Sequence, residues 1–120
     1  MRKKEKIKIQ ELIGKAKSNN HHEAYISLDR NRNYRIGVAA RTMPLKTQIF
    51  IEILVYLPNT GKVDLQDLKR KLAFLEELQK RNYSLQYQEG NFIACETEVS
   101  PKKLEEEYKT IKMLTRHVHS

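Results

Sequence analysis

The apolar positions of the chain follow a helical period at its start and a period of two soon afterwards. Residues 3–17 place four apolar side chains at helical spacing among charged ones, which predicts a first helix with a fraying, lysine-rich start. After a polar break, residues 24–28 and 34–41 alternate between apolar and polar positions on either side of a turn at residues 29–33. This pattern predicts a β-hairpin, because Asn and Asp tolerate the backbone conformations of turns.

A third strand, residues 47–57, is the strongest strand in the sequence. Aliphatic side chains line one of its faces, whereas Phe50, Leu54 and Tyr56 share the other face with Glu52. A strand that is apolar on one side and half apolar on the other is typical of the centre of a sheet, or of a surface covered by a partner.

Two more helices and a second hairpin are predicted in the rest of the chain. Asp64 is placed to cap a helix over residues 64–81, and residues 83–99 alternate as a hairpin. Ser100 followed by Pro101 is a strong signal for the start of the last helix. The predicted buried stripes contain Leu65, Leu68, Leu72, Leu75 and Leu78 in the first of these helices, and Leu104, Tyr108, Ile111, Met113 and Leu114 in the last.

The resulting order of elements is α-β-β-β-α-β-β-α. Because short turns join the strands within each hairpin, we expect an antiparallel sheet with the helices mainly on one face, which is an α+β fold. No linker rich in Pro, Gly or Ser divides the chain. Residues 1–120 are therefore expected to form a single domain, with fraying in the basic segment at residues 1–8.

This order of elements resembles that of type III secretion chaperones and the related YbjN-type proteins. The resemblance is carried by the leucine-rich helix 64–81, the Asn82 that closes it, the hairpin 83–99, and the helix start at Ser100 and Pro101. It covers most of the chain as topology and about half of it as a sequence pattern. The resemblance implies a non-enzymatic, often dimeric protein that binds other polypeptides.

Charge and composition limit the partners and the compartment. The formal net charge is +8, and residues 1–20 carry seven basic but only two acidic side chains. This excess favours nucleic acids, anionic lipids or acidic partners without specifying one of them. A single cysteine cannot form an internal disulfide, no apolar segment follows the basic N-terminus, and no apolar run could span a bilayer. We therefore expect a cytoplasmic protein that does not bind membranes.

The second face of the predicted sheet, away from the Ile/Val face, carries aromatic and arginine side chains. Such side chains are enriched in protein interfaces, and they also stack on single-stranded nucleic acid. Three interpretations stay open: a homodimer interface, cover by the first helix, or a site for another protein or a ligand. The candidate partner-binding residues are Tyr25, Arg35, Arg41, Phe50, Leu54, Tyr56 and Phe92.

The basic N-terminal segment offers a second candidate surface. Lysine-rich helix starts are often only solubilising, but such a helix could also follow a phosphate backbone without reading its sequence. A nucleic-acid-binding accessory protein is therefore the alternative to a protein-binding adaptor. The candidate phosphate-binding residues are Arg2, Lys3, Lys4, Lys6 and Lys8.

Side-chain combinations that could support catalysis are few. His117 and His119 form a His-apolar-His triplet downstream of Tyr108, as in metal-dependent nicking enzymes, but the end of the chain is a poor place to fix a metal. Cys95 lies on an apolar strand face, and the glutamates at 105–107 suit the first turns of a helix. We therefore expect no enzyme, no cofactor and no metal site, and instead a polypeptide-binding adaptor, regulator or chaperone-like module that forms a homodimer. A metal-dependent nuclease or nicking enzyme that uses His117 and His119 stays open as a third alternative.

Overall fold

The structure of the protein is a computed structural model. It describes residues 10–11, 25–28, 33–42, 47–57, 62 and 64–118. Of the first helix predicted over residues 3–17, only Gln10 and Glu11 are among these residues, and both are helical. The rest of that helix lies outside the described residues.

The elements that the structure describes follow the predicted order from the second element onward. Most of the strand and helix boundaries differ from the predicted boundaries by one to three residues, as is usual where elements fray. The elements are β1 (Tyr25–Ser27), β2 (Tyr34–Thr42), β3 (Thr47–Tyr56), α1 (Leu65–Lys80), β4 (Ser84–Glu89), β5 (Phe92–Glu98), a short 3-10 helix (Pro101–Lys103) and α2 (Leu104–Val118).

The described strands form one sheet in the order β1-β2-β3-β5-β4. Every pairing is antiparallel, which confirms the α+β fold with an antiparallel sheet. The apolar strand β3 lies at the centre, where Ile53 pairs with Ile36 of β2 and with Cys95 of β5. Because β5 lies between β3 and β4, residues near position 56 and residues near position 92 become neighbours.

Helices α1 and α2 pack on the face of the sheet that carries the aliphatic residues of β2 and β3. Tyr34 of β2 and Phe74 of α1 are both inaccessible to solvent, and their ring centroids are 4.7 Å apart. Large aromatic side chains of this kind contribute much of the apolar area buried in a small core. The buried core consists of Leu28, Tyr34, Ile36, Val38, Ile49, Ile51, Ile53, Val55, Phe74, Leu75, Leu78, Tyr83, Cys95, Leu104, Tyr108 and Ile111.

Helix α1 begins and ends as its sequence predicts. The Asp64 carboxylate accepts hydrogen bonds from the backbone N–H groups of Gln66 (3.0 Å) and Asp67 (3.3 Å). These bonds satisfy two of the N–H groups that have no partner inside a helix. At the other end Asn82 adopts a left-handed conformation with φ of 70°, which Asn tolerates better than most residues and which turns the chain toward β4.

The predicted leucine stripe of α1 is only partly buried. Leu75 and Leu78 lie in the core, but Leu65 and Leu72 are 61% and 56% exposed, and Lys71 is buried. Leu65, Leu68, Leu72, Leu75 and Leu78 are separated by steps of 3, 4, 3 and 3 residues. Their average step of about 3.25 residues is shorter than the 3.6 residues of an α-helical turn, so the stripe winds around the helix. Its N-terminal half therefore leaves the face that contacts the sheet.

One prediction for the last helix is wrong. Met113 is 67% exposed because it lies about 200° around the helix from the buried Ile111, and Thr115 is buried in its place. The predicted helix start is confirmed, since Ser100 is the N-cap and Pro101 begins the helical segment, but the Ser100 side chain makes no capping hydrogen bond. Instead, its carbonyl accepts a bond from Lys103 N at 2.9 Å, so the first turn closes as a 3-10 helix. Among the described helices, none combines the length and hydrophobicity needed to cross a bilayer.

Candidate functional site

Side chains of β2, β3 and β5 meet on the second face of the sheet, the face away from α1 and α2. Arg35 pairs with Leu54, and Tyr56 pairs with Phe92. Since successive side chains of a strand point to opposite faces, these residues lie opposite the buried Ile36 and Ile53. The strand order brings them together although they come from three separate parts of the chain.

Arg35, Tyr56 and Phe92 form a continuous stack, which we call the arginine–aromatic cluster. The Arg35 guanidinium carbon lies 5.0 Å from the centre of the Tyr56 ring, within the range of a cation–π interaction. The Tyr56 and Phe92 ring centroids are 5.4 Å apart with an interplanar angle of 46°. All three side chains are half-buried, so part of the stack faces solvent.

The guanidinium of Arg35 is incompletely satisfied. Its Nε atom is buried and has no hydrogen-bond partner in the part of the chain that the structure describes. A buried donor without an acceptor costs about 1–3 kcal/mol, and the face of the Tyr56 ring offsets only part of that cost. Because Nε is buried, a carbonyl or carboxylate oxygen from outside can satisfy it only if the Arg35 side chain moves on binding.

Leu54 differs from the prediction because its side chain is only 4% exposed. It pairs in register with Arg35 on one side and with Ala94 on the other, and Ala94 is itself buried. Leu54 therefore lies beside Arg35 in the sheet but is too buried to act as a contact residue.

Phe50 lies at the other end of β3. It is half-buried and pairs with Ala39 and Glu98, while the Gln48 side chain donates a 3.3 Å hydrogen bond to the Glu98 carboxylate. Phe50 is six positions away from Tyr56 along the strand, which is about 20 Å at the usual rise of a strand. The structure thus groups three of the predicted residues and leaves Phe50 apart.

The structure describes only the backbone, or nothing, of the remaining predicted binding residues. Tyr25 pairs with Gly37, and Arg41 pairs with Gln48, so their backbones belong to the same sheet. The side chains of these two residues are not described. The candidate phosphate-binding residues Arg2, Lys3, Lys4, Lys6 and Lys8 lie outside the described residues.

A charged network between α1 and α2 has no counterpart in the sequence patterns. Arg81 donates to Glu107 through Nη2 (2.9 Å) and Nε (3.4 Å), and the Tyr83 hydroxyl donates to Glu107 Oε1 at 3.0 Å. Burial, together with the Glu107 carboxylate, raises the pKa of Tyr83, and the hydrogen bond with Glu107 raises the pKa of Arg81. The residues are 24 and 26 positions apart, so helical or strand spacing could not have linked them.

This network lines an open cleft of about 530 Å³ at the end of α1. The cleft is polar, and its ionic groups already have partners in the chain: Arg81 pairs with Glu107, Lys80 with Glu77, and Glu98 accepts from Gln48. A site that must first break its own ion pairs is less suited to a ligand than the incompletely satisfied Arg35. We interpret the network as a structural link between the two helices.

The residues considered for catalysis are not brought together. Cys95 is fully buried. Burial, and to a smaller extent the nearby Glu52 carboxylate, raises the pKa of the Cys95 thiol to about 12, so the thiol stays protonated at neutral pH. Tyr108 is in the core, whereas His117 lies in the last turn of α2, and His119 is outside the described residues. Among the described residues, no group of three or more His, Cys, Asp or Glu side chains could hold a metal ion.

Comparison of the chain with protein-family models, with curated proteins and with solved structures found no match. The resemblance to type III secretion chaperones therefore stays a prediction from the order of elements.

Proposed function

We propose that the protein is a non-enzymatic adaptor that binds another polypeptide through the arginine–aromatic cluster. The observation that carries this proposal is the partly exposed stack of Arg35, Tyr56 and Phe92, in which Arg35 Nε has no acceptor among the described residues. Aromatic and arginine side chains are the residue types that dominate the binding energy of protein interfaces.

The chemistry of the cluster defines the kind of segment that fits. The Tyr56 and Phe92 rings offer apolar area to an aliphatic or aromatic side chain. Arg35 offers a charged donor to a backbone carbonyl or to a carboxylate. A short extended segment with an apolar residue next to an acidic residue or a free C-terminus satisfies both requirements.

The charges on the same face favour a polypeptide over a nucleic acid. Glu52 of β3 pairs in register with Glu96 of β5, and Glu98 follows two residues later. Carboxylates in this position repel a phosphate backbone, which carries a negative charge at every nucleotide, more strongly than a peptide segment with a single carboxylate. Binding of nucleic acid through the N-terminal lysines is the alternative function, and the experiment below separates the two.

The proposal is tested by selecting peptides from a random library displayed on phage and measuring the affinity of the selected peptides by fluorescence anisotropy. We expect selected peptides to combine an apolar residue with a carboxylate. Tyr56→Ala should weaken their binding about 5- to 30-fold, because one aromatic contact is worth about 1–2 kcal/mol. Arg35→Met, which keeps the apolar stem, should weaken carboxylate-bearing peptides selectively.

Met113→Gln is the matched control, since Met113 is 67% exposed on α2 and remote from the second face. Circular dichroism should show that each variant remains folded. The proposal fails if no peptide is enriched, or if Tyr56→Ala and Arg35→Met bind the selected peptides as tightly as the parent. Salt-dependent binding of a single-stranded oligonucleotide, with no peptide enrichment, would support the alternative function instead.

A further inference from the structure

Tyr56 has a neighbour on each side within the arginine–aromatic cluster. Strand β3 lies between β2 and β5, so Arg35 of β2 and Phe92 of β5 approach Tyr56 from opposite directions across the sheet. The Arg35 guanidinium carbon lies over the Tyr56 ring, 5.0 Å from its centre, and the centre of the Phe92 ring lies 5.4 Å from the same point. A partner side chain that packs on the ring face covered by Arg35 must therefore displace the guanidinium.

Arg35 occupies this position at a cost. Its Nε atom is buried without an acceptor among the described residues, and an unpaired buried donor is destabilising. Two contributions offset this cost: the cation–π contact with Tyr56, and the ring area that the guanidinium shields from water. Because the opposing contributions are similar in size, a partner can shift Arg35 to a second position with few new contacts.

The two contacts that a partner can make are coupled through this movement. A carboxylate pairs with Arg35 Nε only when the guanidinium leaves the ring, and that movement uncovers Tyr56. An apolar side chain reaches the same ring face only when the guanidinium gives up its cation–π contact. When both groups arrive together, the carboxylate pairs with the displaced guanidinium and the apolar side chain covers the ring again.

We propose that Arg35 couples these two contacts, so that the site selects segments that carry an apolar side chain and a carboxylate on neighbouring residues. Segments that carry only one of the two groups are rejected, because each group alone leaves either Tyr56 uncovered or the guanidinium unpaired. This inference rests on the proposed function, since it concerns how the arginine–aromatic cluster chooses its polypeptide partner.

A thermodynamic cycle on the peptide measures the coupling. The probe is a peptide selected from the display library, together with three derivatives in which the carboxylate is changed to a carboxamide, the apolar residue to alanine, or both. In fluorescence anisotropy with the parent protein, the alanine change should weaken the carboxylate peptide about 5- to 30-fold. The same change should weaken the carboxamide peptide less than about twofold, because Arg35 then stays on the ring.

Arg35→Ala tests whether the arginine is the source of the coupling. The substitution uncovers Tyr56, so the carboxamide peptide should bind about 2- to 5-fold more tightly than it binds the parent, whereas the carboxylate peptide should bind more weakly. A residue that only supported the fold would not produce this gain. Met113→Gln is the matched control and should keep the coupling of the parent, because Met113 is exposed on α2 and remote from the cluster.

The signal of the Arg35 Nε–H group in proton–nitrogen NMR spectra reports the displacement directly. Close to the face of an aromatic ring this signal lies upfield of that of a free arginine, and Tyr56→Leu should remove the shift. A saturating amount of the carboxylate peptide should remove it as well, whereas the carboxamide peptide should leave it in place.

The inference is overturned if the alanine change weakens the carboxylate and carboxamide peptides by the same factor with the parent protein. This comparison needs no protein variant, so it decides the question even if Arg35→Ala folds poorly. An unchanged Nε–H signal at saturation would also overturn it. Binding that depends on Tyr56 but shows independent contributions would leave the proposed function standing and refute only the coupling, whereas the absence of any selected peptide would refute both.

Discussion

Replacing Asp67 by Asn should destabilise the protein strongly, because it removes the charge partner of a buried lysine. Lys71 Nζ lies 2.7 Å from Asp67 Oδ2, one turn apart on α1, and the two side chains are only 2% and 18% exposed. No described donor reaches Asp67 Oδ2 with regular hydrogen-bond geometry, so the contact acts mainly through charge. After the substitution the buried Lys71 side chain has no carboxylate partner among the described residues.

The expected magnitude follows from this burial. Removing one partner of a buried ion pair costs about 3–5 kcal/mol, and the lower end applies here because Asp67 retains some contact with water. The same helix offers a matched control in Lys80 and Glu77, which are 3.2 Å apart but 71% and 40% exposed. Glu77→Gln should therefore cost less than about 0.5 kcal/mol.

Urea unfolding followed by circular dichroism measures both variants against the parent. A loss of about 3 kcal/mol corresponds to a fall of roughly 1–3 M in the urea midpoint for a protein of this size. Adding Lys71→Met to Asp67→Asn should recover most of the loss, since Met has a similar length and carries no charge. The reasoning is refuted if Asp67→Asn costs no more than Glu77→Gln, or if Lys71→Met does not rescue it.

Two further predictions concern stability. Asp64→Ala should lower the free energy of unfolding by about 1 kcal/mol. Asp64→Ser should lower it little, because Ser can still cap the N-terminus of α1. Equal losses for the two variants in urea unfolding would contradict the capping role of Asp64. The folded state raises the pKa of Tyr83 and raises that of Cys95 to about 12, so the folded protein holds these protons after the unfolded chain releases them. Stability should therefore be constant near neutral pH and fall as the pH rises above about 8.5. Tyr83→Phe should reduce that fall above about pH 10, and an unchanged slope in urea titrations would count against the assignment.

The local patterns of the sequence were sufficient to predict the individual helices, strands and turns. The central strand β3, the helix at Leu65–Lys80 and the turn at Asn82 were all predicted close to where they lie. Each depends on features within a few residues: alternation, a capping carboxylate, or a residue that tolerates positive φ. For the same reason the fold class could be predicted without knowing which strands pair.

The arrangement of those elements depends on contacts between distant parts of the chain. Alternation places Tyr56 and Phe92 on strand faces, but only the insertion of β5 beside β3 makes them neighbours and builds the stack with Arg35. The same applies to Leu54, whose side chain is buried although its alternation matches that of the half-exposed Tyr56. Alternation along a strand predicts only the face of the sheet to which a side chain points. Whether that side chain is buried depends on which other residues pack above and beside it.

The leucines of α1 show most directly which features the sequence determines and which features depend on the tertiary structure. The sequence by itself determined that α1 is a helix with a leucine stripe, since spacing and capping are local properties. Only the tertiary structure decided that Leu75 and Leu78 enter the core while Leu65 and Leu72 remain exposed, and that Lys71 is buried beside Asp67. The physical reason is that the angle at which the helix crosses the sheet selects which part of a winding stripe is buried, and that angle is set by the packing of the whole core.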